Sequence, residues 1–177
     1  LVRKRTMASI PFGGRYRIID FTLSNMVNSN ITTVGLMAST NYRSLIDHIG
    51  SGKDWDLARK DGGIILLPPF SDKHDQSYSN KMEAIVGLRG FLSKRSEKYV
   101  VLSDTDGIAK LNIADVLAYH EKKASDITLV THKHTIERTK DFLVVDKSES
   151  GRVTDVKIDP RLPEGAVEET FINVMVL

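Results

Sequence analysis

Short apolar runs without a single charge, separated by stretches of helical spacing, constrain this chain more than any other feature. Thr32 to Ser39, Gly63 to Leu67 and Tyr99 to Leu102 are too short to be buried helices and are rich in branched side chains. Runs of this kind form strands covered on both faces, the condition of a parallel sheet. Between them the period changes. From Arg17 to Asn28 the apolar residues Ile18, Ile19, Phe21, Leu23, Met26 and Val27 fall mainly on one side of a 3.6-residue period, and Asn30 closes the segment. Arg43 to Ile49 reads as a short helix ended by Gly50-Ser51-Gly52. Asn80 and Glu83 have capping-box spacing before Met82, Ile85, Val86, Leu88 and Leu92, and Asn112 with Asp115 repeats it before Ile113, Val116, Leu117 and Tyr119. Asp126 to His132 is a fourth strand.

The alternation predicts an α/β fold: a mostly parallel, mixed sheet with helices on both faces, joined by right-handed crossovers. After His134 the pattern changes. Phe142 to Val145, Val153 to Ile158 and Phe171 to Leu177 are strands without helices between them, and Ser148 to Gly151 is a turn, so this part is expected to be hairpin-like or on a mixed edge. A length of 177 residues fits one domain with a full core. The chain starts Leu1-Val2-Arg3-Lys4 and stops inside an apolar run, so it is expected to be part of something longer, incomplete at both ends.

Charge and composition narrow the function. A net charge of +2 gives no general polyanion-binding role, so no nucleic acid is expected as partner. No apolar stretch approaches the roughly 20 residues that span a bilayer, and no secretory signal opens the chain, so no membrane role is expected. The absence of cysteine suits the cytoplasm.

In open α/β sheets ligands gather beyond the C-terminal ends of the strands. Asp104-Thr105-Asp106 follows the Tyr99 strand, and two carboxylates so placed can hold a hard cation such as Mg²⁺ through phosphate oxygens. The alternative is that one of them only caps a turn before Gly107. Pro11-Phe12-Gly13-Gly14 precedes a helix, where glycine lets backbone amides meet an anion, with Arg15, Arg17, Arg3, Lys4 and Arg5 nearby. An ordinary Gly-Gly turn with solvated basic residues explains the same pattern. It is neither a Walker loop nor the spaced-glycine dinucleotide fingerprint. His132 and His134 share a strand face and can bind zinc, but no third ligand is identifiable, and ordinary strand-end residues account for them. His120, near a helix end, favours the cationic form there without a function. Ser71 to Ser79 is polar and aperiodic, a loop that can reach the ligand side.

The segment Met7 to Ile31, with its core Ile10-Pro11-Phe12-Gly13-Gly14-Arg15-Tyr16-Arg17-Ile18-Ile19-Asp20, closely resembles the ADP-glucose pyrophosphorylase (glucose-1-phosphate adenylyltransferase) family. Tyr42 to Ile49, the carboxylate loop ending in Asp106 and Ile108 to Asn112 extend the likeness over nearly the whole chain. The resemblance implies a partial, Rossmann-like nucleotidyltransferase domain over residues 1–177, with a left-handed β-helix downstream in the complete protein. It implies conversion of ATP and glucose 1-phosphate to ADP-glucose and pyrophosphate in glycogen synthesis, with Mg²⁺ accompanying ATP.

Against the catalytic pattern several positions depart. The family's Gly-rich loop is expected before Leu1. Its Arg-Ala-Lys-Pro-Ala matches Arg5-Thr6-Met7-Ala8-Ser9, so Arg5 keeps a catalytic position while the phosphate-binding Lys is Met7; a thioether does not replace an ammonium. On the nucleotide side the usual Gln matches Ser39, and Gly-Thr matches Asn80-Lys81, where a side chain crowds an approaching base. Gly-Asp matches Thr105-Asp106, leaving Asp106 as catalytic and metal-binding carboxylate. This combination resembles the D-type subunit, which accompanies a catalytic subunit and carries a degenerate site. The expected partners are that catalytic glucose-1-phosphate adenylyltransferase subunit and, as ligands, ATP, ADP-glucose and sugar-phosphate effectors. The other readings are an independently active nucleotidyltransferase, with Arg5 or Arg15 in place of the lysine, and a non-enzymatic sensing scaffold.

Overall fold

A computed structural model describes residues 6–37, 41–67, 81–136, 142–158 and 161–177. It divides into two compact units, Leu1–Lys98 with Thr105–Asp115, and Tyr99–Asp104 with Val116–Leu177. The class is mixed α/β, as the alternation of periods requires.

Among the described residues the first unit has a 3₁₀ turn at Met7–Ser9, followed by the hairpin β1 (Pro11–Phe12) and β2 (Tyr16–Arg17), then helix α1 (Ile18–Asn28). Ile19, Leu23 and Met26 are buried at the spacing expected of one helical face. Asn30, at φ 61°, takes the left-handed conformation that ends α1, which asparagine tolerates better than other side chains. β3 (Thr33–Met37) and β4 (Gly63–Leu67) pair in parallel, Thr33 opposite Gly63 and Met37 opposite Leu67. Between them lies α2 (Arg43–Ile49), which buries Leu45 and Ile49 and stops at Gly50, φ 55°.

The single helix expected from Asn80 to Leu92 is interrupted. It forms as α3 (Lys81–Gly87) and α4 (Arg89–Leu92), with buried Leu88 between them. Gly87 and Gly90 lie on either side of Leu88, and glycine lowers helix propensity by about 1 kcal/mol each. Of the apolar residues across the break Leu88 is buried while Val86 is exposed, so their spacing does not mark the buried face of one continuous helix.

The second unit is built on a five-stranded sheet of β5 (Val101–Ser103), β6 (Thr128–Thr135), β7 (Leu143–Lys147), β8 (Val153–Ile158) and β9 (Val167–Val176). Among the described residues every pairing in it is antiparallel, and parallel pairing is confined to β3 and β4. β7 and β8 form the expected hairpin. β9, by contrast, is no edge strand: its C-terminal half lies between β5 and β6, and its first half lies between β6 and β7. That position explains the apolar run from Phe171, with Val174 and Val176 buried, and it could not be told from an edge strand by composition. Lys147 reaches Glu169 on β9 at 2.7 Å, and this hydrogen bond, with one to Thr131, holds the Glu169 carboxyl below its ordinary range.

Helix α5 (Ile113–Lys123), most of which belongs to the second unit, carries His120. His120 is only 3% exposed, its Nδ1 lies 2.9 Å from the Thr128 hydroxyl, and its ring meets Tyr99 edge to face. Near the helix end, where sequence placed it, His120 thus makes a core hydrogen bond and an aromatic contact. The next residue after the helix, Ala124, has φ 46°. A Cβ is unfavourable there, so Ala124→Gly is expected to stabilise the protein by about 0.5–1 kcal/mol, read from the shift of its urea midpoint at constant slope.

Candidate functional site

The Gly-Gly turn does not lead straight into a helix. Pro11 pairs with Arg17 and Phe12 with Tyr16, so Gly13-Gly14-Arg15 is the loop of a short hairpin. Gly13 and Gly14 have φ 59° and 90°, conformations that glycine supplies without strain. The helix N-terminus that follows is already served by a carboxylate: Asp20, at the third helical position, accepts the Arg17 backbone N–H at 3.0 Å. Arg17 turns its guanidinium to α2, donating to the Ser44 carbonyl and, at 3.0 Å, to the Ser44 hydroxyl. Arg15 remains exposed, 5.6 Å over the Tyr16 ring.

Asp20 does a second task. Its other carboxylate oxygen lies 2.6 Å from Nε2 of His48, and the two side chains are 11% and 20% exposed. The His48 ring meets Trp55 edge to face at 6.2 Å. These groups line a cavity of about 560 Å³, with Arg15, Tyr16, Phe21, Ser24 and Asp54 making up the rest of the wall. The cavity thus combines aromatic faces, a guanidinium and a hydrogen-bonded imidazole–carboxylate pair. Sequence reading placed Asp20 and His48 in separate motifs without joining them. The available signal was an Asp at the third position of α1 and a His at the end of α2. Asp20→Ala removes the bond at the start of α1 and the partner of His48 together, and is expected to cost about 1–3 kcal/mol in urea unfolding. A loss no larger in His48→Ala/Asp20→Ala than in His48→Ala alone would show that Asp20 contributes only through His48.

The carboxylate loop leaves β5 at Ser103. The Asp104 amide donates to the Asn173 carbonyl at 3.0 Å, and the Ser103 hydroxyl donates to the Asp104 carbonyl at 3.1 Å. Asp104 is half-buried and Asp106 is exposed. Among the described residues no group of three or more His, Asp or Glu side chains is placed to hold a metal, so the His132/His134 zinc possibility gains no third ligand. An exposed carboxylate fits a different kind of cation: Mg²⁺ is commonly held by one or two carboxylates, with substrate phosphates and water completing its shell. Of the other sequence-derived site residues, Arg5, Ser39 and Asn80 lie outside the described residues, as does the loop from Ser71 to Ser79. Lys81 is the first residue of α3. Met7, in the 3₁₀ turn, is 48% exposed.

The sequence profile described as Nucleotidyl transferase matches residues 1–174. The chain belongs to the nucleotidyl transferase family. Relatives of this chain include the glucose-1-phosphate adenylyltransferase of Clostridium acetobutylicum, 36% identical over 98% of this chain and 46% of the relative. The protein of the same name from Thermotoga maritima is 35% identical over 98% of this chain and 41% of its own length. That of Mycoplasma mobile is 33% identical over 93% of this chain and 43% of its own length. The chain therefore spans less than half the length of these relatives. No helix among the described residues is long and apolar enough to cross a membrane.

Proposed function

We propose that the complete protein is a subunit of a glucose-1-phosphate adenylyltransferase, serving glycogen synthesis, whose own site is weakened and which supports or regulates a catalytic partner subunit. The reaction joins a sugar phosphate to the α-phosphorus of ATP and releases pyrophosphate, so the site has to offset charge on several phosphate oxygens. Asp106 is the residue that would hold Mg²⁺, and the cation would neutralise part of the triphosphate charge. Arg5 would add a guanidinium beside the phosphates, while Ser39, Asn80 and Lys81 would meet the nucleotide.

The observation that carries the weakened-site reading is Met7. It stands where the family pattern has the phosphate-binding lysine, and a thioether brings no positive charge. Asn80-Lys81 in place of Gly-Thr adds bulk on the nucleotide side. The reading is tested by following ADP-glucose formation by the purified full-length protein alone, and mixed with a catalytic subunit. Little turnover alone and altered turnover or effector response in the mixture are expected. Substantial turnover by the protein alone would instead identify an independent enzyme, with Arg5 or Arg15 in the role of the lysine.

A further inference from the structure

Asn173 lies inside β9 with φ 59°, a left-handed conformation that interrupts a strand. The register shows the consequence. Leu129 of β6 pairs with Met175 and Thr131 with Phe171, so two steps along β6 match four along β9. The surplus makes a bulge around Asn173, and bulges bend a strand and re-aim the groups beside it. On the opposite edge of β9, Ser103 pairs with Val174, and the next residue, Asp104, gives its amide to the Asn173 carbonyl at 3.0 Å. The bulge therefore sits where β5 ends and the carboxylate loop begins. Its neighbours Ile172 and Val174 are β-branched, the residue class that tolerates a left-handed backbone least; asparagine tolerates it well.

We infer that Asn173 is a positioning residue for the carboxylate loop: its left-handed backbone shapes β9 so that its carbonyl holds the Asp104 amide and sets the direction in which the chain leaves β5. The consequence for ligand binding rests on the proposed role of this loop in holding a nucleotide-borne cation. A small misdirection of a ligand-bearing loop is enough to weaken binding, since a displacement of about 1 Å can cost roughly 100-fold in function.

The test uses the full-length protein with Asn173→Gly, Asn173→Ala and Asn173→Val. Two quantities are measured: hydrogen exchange at the Asp104 amide, and affinity for Mn²⁺·ATP from the Mn²⁺ electron paramagnetic resonance signal. Glycine keeps the left-handed backbone and is expected to leave Asp104 exchange within about twofold of the parent, whereas valine speeds Asp104 exchange and weakens Mn²⁺·ATP by about tenfold or more relative to the glycine variant. Exchange in β7 and β8, which belong to the same unit as Asn173 and Asp104, serves as the folding control and stays unchanged. Should Asn173→Val fail to fold, Asn173→Ala gives the same ordering at smaller amplitude. Parent-like Asp104 exchange in the valine and alanine variants would overturn the positioning role. If exchange responds but Asp106→Asn binds Mn²⁺·ATP as the parent does, the positioning of the loop stands and the cation-binding reading of the loop falls.

Discussion

Gly63→Ala is expected to destabilise the protein by about 2–5 kcal/mol, a large part of the total stability of a typical domain. Two causes add. Gly63 has φ 80°, where an L side chain is strained by roughly 1–2 kcal/mol. An added Cβ would also lie 2.5 Å from the Leu57 carbonyl oxygen and 3.3 Å from the Arg59 amide, both backbone atoms that cannot swing aside. Moreover the Leu57 carbonyl accepts the Ile64 N–H at 3.2 Å, and the Gly63 N–H donates to the Thr32 carbonyl at 2.7 Å. Relieving the clash therefore disturbs the start of β4 and its register with β3. Gly14→Ala is the control, for Gly14 has φ 90° but no atom lies within 4 Å of where an added Cβ would stand. It carries the conformational strain alone, about 1–2 kcal/mol. Urea unfolding of the two variants separates the terms: equal losses would mean that the backbone beside Gly63 yields, and that the close approach is not a constraint.

Met7→Lys is expected to raise ADP-glucose formation by the full-length protein by about 10–100-fold, because a preorganised charge facing developing phosphate charge is commonly worth a factor of that order. The substitution puts no new group into the core: Met7 is 48% exposed, and its contribution to the turn is a backbone carbonyl that accepts the Ile10 N–H at 3.0 Å. Stability should therefore change by less than about 0.5 kcal/mol. Initial rates at saturating Mg²⁺·ATP and glucose 1-phosphate provide the measurement. An unchanged rate would move the defect to the nucleotide side, and Asn80→Gly/Lys81→Thr would then be the pair to restore. A rise only in the presence of the catalytic subunit would mean that the lysine acts on the partner's turnover.

Local signals account for much of the first unit. Arg17 to Asn28 became α1 from Ile18, Arg43 to Ile49 became α2, and Gly63 to Leu67 became β4 with the same ends. In each case a short stretch carries its own period and its own stop, so neighbours along the chain suffice. The carboxylate loop was also legible, since an apolar strand followed by Asp104-Thr105-Asp106 changes character at that point. The family followed from the long segment around Gly13-Gly14, and the match over residues 1–174 agrees with it.

Long-range partners were not legible in the same way. The pairing of Asp20 with His48 joins residues 28 apart in sequence, and the same carboxylate occupies the helix start that sequence left open between an anion site and an ordinary turn. The burial of His120 depends on Thr128 and Tyr99, neither of which alters the apolar period of α5. The central place of β9 and its bulge at Asn173 depend on three other strands at once. Periodicity and end signals, which act through adjacent residues, were enough to place the helices, several strands and the family motif. Which strands pair, which carboxylate meets which imidazole, and where the Asp104 amide is held depend on groups brought together by chain folding, whose mutual distances no local pattern encodes.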